Sequence, residues 1–241
     1  MKRALAVVAF VAAVLPAAGA PRATATLNVF AASSLTEVFP RIDRKPNYNF
    51  AGSNQLALQI RQGAPAAVFA SASPEYTRAL FRERLVERPR VFATNSLMLA
   101  VPASNPALRT VFDLRRGDVK LVIGNASVPI GIYTRAVLKR LGLSTVLASV
   151  VSEEPDVKSI VGKLALGEAD AGFVYRTDIR AAAGRLRAIA LPARAQPTVR
   201  YEVAVVRGSS STAAARRWVQ ALSTHHARQA LTAAGFGVPK K

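Results

Sequence analysis

From Thr26 onward, short apolar runs alternate with amphipathic stretches at close intervals. That alternation confines the chain to an α/β architecture with largely parallel strands, because each amphipathic helix must cover a sheet face while carrying the chain back to the starting edge. The runs Leu27–Ala31, Ala67–Ala70, Leu97–Val101, Val119–Ile123, Val146–Val151, Ala171–Val174, Leu186–Leu191 and Val199–Val206 read as strands. Helices are expected between them. Leu35, Val38 and Phe39 keep the i, i+3, i+4 spacing until Pro40 stops it, and Leu56 and Ile60 repeat it before Gly63. Pro74–Arg84 carries Tyr76, Ala79 and Leu80, Ile132–Leu141 ends at Gly142, and Val157, Ile160, Val161 and Leu164 form a stripe closed by Gly167. Residues 212–234 read as one or two further helices.

With 241 residues, 51% of them apolar and 20% charged, the chain can bury a core as one large domain or as two lobes. Breaks at Val101–Pro106 and Pro192–Pro197 favour two lobes, the second inserted into the first: residues 26–100 and 199–241 form lobe 1, residues 101–198 lobe 2. A ligand cleft then lies between the lobes, at the carboxyl ends of strands and the amino ends of helices. The absence of cysteine excludes disulfides, thiolate metal sites and a cysteine nucleophile.

Residues 1–25 read as an export signal. Lys2 and Arg3 precede the apolar run Ala4–Leu15, and Ala23-Thr24-Ala25 supplies a cleavage pattern, so maturation is expected before Thr26 in a periplasm-like compartment. The apolar run is well short of the roughly 20 residues that span a bilayer. Removing this segment lowers the formal charge from +19 to +16. The basic residues are scattered, with no run longer than Arg115-Arg116 or Arg216-Arg217, so nucleic acid is not the expected partner; a solubilising surface and steering of a small anion remain.

Four segments share one grammar, a strand running into small or hydroxyl residues and then a helix: Phe30–Thr36, Phe50–Leu56, Val128–Tyr133 and Glu154–Lys158. Helix N-termini carry unpaired N–H groups and about half a positive charge, so several of them converging on one cleft make an anion site without a charged side chain. Each piece alone has an ordinary alternative. Ser34 with Glu37 is a possible capping box, Ser53 a possible N-cap, and Gly131 a possible device for tight helix entry.

In order along the chain come Phe30-Ala31-Ala32-Ser33-Ser34-Leu35-Thr36, Phe50-Ala51-Gly52-Ser53, Gln59–Pro65, Pro129-Ile130-Gly131-Ile132-Tyr133 and Gly167–Tyr175. In these motifs, with Tyr201–Val206 and Ala234–Phe236, residues 26–237 resemble the molybdate-binding proteins of ABC importers, the ModA-type branch of the type II periplasmic binding proteins. The resemblance implies a two-lobed receptor, not an enzyme. It would close on molybdate, and on tungstate, deliver the ion to a membrane permease, and act as a monomer without a cofactor or metal-cation site. It further implies an oxyanion shell of Ser34 and Ser53 hydroxyls, backbone N–H groups of Ile130 and Val157, and the Tyr175 hydroxyl. Three departures from the family pattern stand out: a short Thr36–Phe50 stretch, Ala67 in place of a frequent aspartate, and Ile130 in place of a smaller residue.

Other chemistries fare worse. A serine nucleophile needs a base, and the two histidines, His225 and His226, are adjacent near the C-terminus, with no G-x-S-x-G elbow in the chain. Two histidines without partners do not make a zinc site. Glu153-Glu154 reads as solvated surface, while Asp156 and Asp178 read as caps or ties, because a carboxylate facing a bound dianion would repel it. Sulfate, thiosulfate or phosphate remain as rival ligands, and a basic surface-interaction protein remains as the rival from another class.

Overall fold

The computed structural model describes residues 26–105 and 107–239; the expected export signal lies outside them. Two five-stranded sheets form the frame. The first contains β1 (Asn28–Ala32), β2 (Asn47–Ala51), β3 (Val68–Ser71), β4 (Arg90–Asn95) and β10 (Val199–Val205), in the order β2-β1-β3-β10-β4. The second contains β5 (Leu97–Pro102), β6 (Leu121–Gly124), β7 (Val150–Glu154), β8 (Ala171–Tyr175) and β9 (Leu186–Ala190), in the order β7-β6-β8-β5-β9. The helices are α1 (Phe39–Ile42), α2 (Ser53–Arg61), α3 (Pro74–Arg82), α4 (Pro129–Arg140), α5 (Val157–Ala165), α6 (Arg176–Ala181), α7 (Thr212–Ala221) and α8 (His225–Ala233).

The two sheets share one plan. Each lobe contributes three strands of its own that are joined by helices, β1–β3 and β6–β8, and the first of each three lies between the second and third, parallel to both, as the pairs β1·β2, β1·β3, β6·β7 and β6·β8 show. The fourth position goes to a strand arriving from the other lobe, β10 or β5, and it runs antiparallel to both neighbours. The sheets are therefore mixed rather than largely parallel. Chain direction at a crossing is set by the path between lobes, which residue patterning does not encode.

The first of the two crossing points also differs from expectation, while the return lies where the Pro192–Pro197 break placed it. The chain leaves the first sheet at Ser96, directly between β4 and β5, and returns over residues 191–198. The Leu97–Val101 run, expected to close lobe 1, thus belongs to the second sheet, and the boundary placed between residues 100 and 101 moves to Ser96. Pro102 marks the end of β5 and the turn after it, whereas a nearly continuous extended chain passing from sheet to sheet carries no turn residues. Gln196 ties the crossings together: its side-chain oxygen accepts from Leu97 N at 3.2 Å and its amide donates to Leu97 O at 2.8 Å.

Of the sheet edges, β2 shows in the sequence only as the strand end at Phe50, and β4 does not show as an apolar run at all. Their residues, Asn-Tyr-Asn-Phe-Ala and Arg-Val-Phe-Ala-Thr-Asn, are half solvated and carry too little apolar signal. The β7 edge strand likewise lies at 150–154, and the Ser144–Ser149 stretch before it is a 3-10 helix. Pro40 does not stop a helix. It occupies the first turn of α1, preceded by a separate 3-10 turn at Ser33–Leu35. Phe39 there packs edge-on against Trp218 at 5.1 Å and against Phe92 at 5.8 Å, so the short Thr36–Phe50 stretch is anchored by aromatic burial under α7.

Candidate functional site

A small pocket lies between the sheets, at the carboxyl ends of β1–β3 and β6–β8. Its walls are Ala32, Ser33, Ser34, Ala51, Gly52, Ser53 and Ala72 from one side and Val128, Pro129, Ile130, Val157 and Tyr175 from the other. All five residues singled out from sequence line it, and all five are buried. No lining side chain carries a formal charge.

On the lobe 1 side, neither serine caps a helix. Ser53 is the first residue of α2, after Gly52, and its hydroxyl oxygen accepts from Ala72 N at 3.1 Å. That bond engages a lone pair and leaves the hydroxyl proton free to donate. Ser34 sits in the 3-10 turn after β1, its oxygen 2.8 Å from the Tyr201 hydroxyl. The Asn95 side-chain amide reaches the same Tyr201 oxygen at 3.5 Å, while its own oxygen accepts from Ser96 N. Either hydroxyl can donate in the Ser34–Tyr201 bond; with Tyr201 donating, the Ser34 proton is left for the pocket. Burial pushes the Tyr201 phenol well up, partly offset by the Ser34 bond, so the proton stays in place. The Ser34–Glu37 capping box does not form; Glu37 turns instead to Lys158.

On the lobe 2 side the donors are mainly backbone. Pro129 opens α4 and has no N–H, so that of Ile130 is the first amide the helix offers. In α5 the capping residue is Asp156, which accepts from Lys158 N and Ser159 N at 2.7 and 3.1 Å. Both are thereby satisfied, while the Val157 amide remains at the pocket wall. Gly131 is required for a close approach: a Cβ there would come within 1.9 Å of Asn125 O. Tyr175 ends β8, its hydroxyl buried without a hydrogen-bond partner among the described residues. Burial, with further contributions from Tyr201, Tyr133 and Asp178, drives its pKa well above 10, so it is a donor.

The lobes meet tightly around this pocket. A Cβ on Gly52 would lie 2.5 Å from Pro155 O of the opposite lobe. Asn54 donates to the Ser127 hydroxyl at 2.9 Å, the Tyr76 hydroxyl donates to Ser127 O, and the Tyr133 hydroxyl donates to Ala72 O at 3.3 Å. Asp178, expected to be a tie, accepts from Tyr175 N at 3.0 Å and lies 3.2 Å from Lys158. Of the Glu153-Glu154 pair, Glu153 binds Arg135 and Glu154 binds Lys163, both in lobe 2. His225 and His226 are exposed on α8. The sequence reading assigned no part to Tyr201, Asn95 or Lys158; their relations to the pocket span 106 to 167 residues of chain or run through a second residue, and no local spacing signals them.

Two α/β lobes, each inserted strand-wise into the other's sheet and enclosing a neutral pocket of hydroxyls and helix-start amides, define a two-lobed solute-binding protein. Comparison with known proteins is more specific. The sequence profile of the bacterial extracellular solute-binding protein family matches residues 27–237, and the chain belongs to that family. It is 34% identical to the molybdate-binding protein ModA of Mycobacterium tuberculosis over 92% of this chain and 88% of that one. Identity to the ModA of Haemophilus influenzae is 30%, over 89% and 91% of the two chains. The fold matches the periplasmic molybdate-binding protein of Azotobacter vinelandii with a TM-score of 0.79, at 22% identity, over 89% of this chain and all of that one.

Proposed function

We propose that this protein captures molybdate outside the cytoplasm and delivers it to the permease of an ABC importer, with tungstate accepted by the same shell. The reading rests above all on the pocket: its walls come from both lobes, and they offer hydroxyl and amide donors without a charged side chain. Such a shell suits a fully ionised tetrahedral dianion, because helix-start amides and hydroxyls stabilise negative charge without an ion pair that would slow release. The molybdate-binding relatives support the choice of anion. In this reading Ser34 and Ser53 donate hydroxyl protons, Ile130 and Val157 donate backbone N–H, and Tyr175 donates its phenol. No cofactor, metal cation or catalytic step is invoked, residues 1–25 are removed before Thr26, and the mature receptor works as a monomer.

The rivals are distinguished by chemistry. Phosphate carries a proton near neutral pH and needs an acceptor, which a donor-only shell withholds. Sulfate is smaller and would leave stretched bonds in a shell matched to molybdate. Thermal melts of the mature chain with molybdate, tungstate, sulfate and phosphate at matched ionic strength test the reading. A ligand at about 100 times its Kd adds roughly 2.7 kcal/mol, a shift of several degrees. Shifts with molybdate and tungstate alone are expected; a shift only with sulfate or phosphate replaces the ligand, and no shift with any oxyanion defeats the reading.

A further inference from the structure

Three charged side chains meet beside the pocket. Lys158 Nζ donates to both carboxylate oxygens of Glu37 at 2.8 Å and lies 3.2 Å from Asp178 Oδ1. Glu37 belongs to lobe 1, Lys158 and Asp178 to lobe 2, and among the described residues Lys158–Glu37 is the one ion pair that joins the lobes. Each member is adjacent in sequence to a different part of the anion shell. Glu37 is three residues after Ser34, Lys158 directly follows Val157, and Asp178 is three residues after Tyr175, whose N–H it accepts. The Asp178 side chain is fully buried and that of Lys158 is 26% exposed. Burial opposes the ammonium charge, but Asp178 and Glu37 outweigh it and raise the Lys158 pKa, so the cation persists across the physiological range.

We infer that Lys158 is a positioning residue for anion capture: held from lobe 2 by Asp178, its ammonium engages Glu37 of lobe 1 on closure and thereby locks the Ser34, Val157 and Tyr175 donors around the ligand. The inference rests on the oxyanion reading above. Its physical basis is the asymmetry between the two carboxylates. The Lys158–Asp178 contact lies within lobe 2 and needs no closure, so the ammonium is held ready, partly desolvated, beside the cleft. The contact with Glu37 spans the cleft and exists only when the lobes approach. A pair already half desolvated is screened less by salt than a surface pair. Of the other hydrogen bonds that join the lobes, those through Asn54, Tyr76 and Tyr133 are between neutral groups, and the guanidiniums of Arg176 and Arg180 donate to the uncharged carbonyls of Gly235 and Thr232, so none of them pairs opposite charges. The lock should therefore act mainly on release, because the cross-lobe contact must break before the lobes part.

The test compares wild type, Glu37→Gln, Lys158→Met, Lys158→Arg and the Glu37→Gln/Lys158→Met double variant by stopped-flow association and dissociation of molybdate, with ligand-free melting as a control. Glu37→Gln leaves Asp178 neutralised, so its ligand-free Tm should stay within about a degree while dissociation speeds up roughly three- to tenfold and association changes less than twofold. Lys158→Met should speed dissociation at least as much, Lys158→Arg should restore most of the slow release, and the double variant should be no faster than Lys158→Met. Wild-type dissociation in Glu37→Gln, or effects of the two substitutions that multiply in full, overturns the inference. If Lys158→Met fails to fold, Glu37→Gln decides alone. Failure of the wild type to bind any of molybdate, tungstate, sulfate or phosphate overturns the oxyanion reading and this inference with it, whereas normal wild-type binding with unaltered variants overturns only the lock.

Discussion

The two lobes have one strand plan and place their pocket residues at equivalent points, yet they supply different chemistry. After the first strand lobe 1 presents Ser34 and lobe 2 presents Ile130; after the second they present Ser53 and Val157. After the third strand, Ala72 spends its amide on Ser53, while Tyr175 brings a phenol into the pocket. Lobe 1 thus works through hydroxyls whose oxygens are pinned by Ala72 and Tyr201. Lobe 2 works through the first amides of α4 and α5 and one tyrosine. The difference teaches where the shell is vulnerable. A hydroxyl can be deleted by substitution, whereas a helix-start amide is lost only if the backbone moves or the lobes fail to meet.

The largest expected effect comes from keeping the halves apart. Gly52→Ala puts a methyl against Pro155 O, while φ −60° and ψ 137° at Gly52 are allowed for alanine, so in an open form only the Asn54 side-chain oxygen, 2.7 Å from the new Cβ, has to turn aside. Closure should cost about 3 kcal/mol, the upper part of the overpacking range, and calorimetry should show affinity lowered about a hundredfold with ligand-free melting unchanged. Ser53→Ala removes a donor and also leaves Ala72 N–H without its acceptor. Affinity should fall by about 1.5–3 kcal/mol, and here ligand-free stability should fall too.

Tyr175→Phe sharpens the contrast. Its hydroxyl has no partner among the described residues, so its removal should weaken anion binding by about 1.5 kcal/mol yet leave the ligand-free Tm equal or higher. Lower ligand-free stability would show that the phenol is already engaged within the protein. Tyr201→Phe keeps the packing against Phe92 and Phe236 but frees the Ser34 hydroxyl to rotate. A loss of about 0.5–1.5 kcal/mol in affinity is expected, absent in a Ser34→Ala background.

The smallest effect is on pH dependence. Burial raises the Asp178 pKa to about 6, with Lys158 pulling the other way. A carboxyl raised in the folded state contributes stability that is full below its unfolded pKa near 4 and is lost as pH rises through about 6. Ligand-free melting followed from pH 4 to 7 should show this loss, and Asp178→Asn should remove it.

Legibility in the sequence follows burial. The inner strands β1, β3, β6 and β8 carry dense apolar runs because both faces are covered, and they stand at or near their expected positions. The edges β2 and β4 are half solvated and left no such mark, and β5 and β10 gave their location but not their direction. The five pocket residues were found because each stands in a short motif at a strand end. Tyr201 stands in a quoted motif, yet its bond to Ser34 spans 167 residues, and the Glu37–Lys158 pair spans 121. Contacts of that range are set by how the lobes meet, and no local spacing carries them.

The central claim is that one small oxyanion is held by neutral donors from both lobes rather than by the basic surface. Titration calorimetry with molybdate at low and high ionic strength tests it most directly. The account predicts one ion per chain, an affinity changed only slightly by salt, and a large loss in Ser34→Ala and Tyr175→Phe. Several ions per chain, an affinity that collapses with salt, and indifference to both substitutions would contradict it.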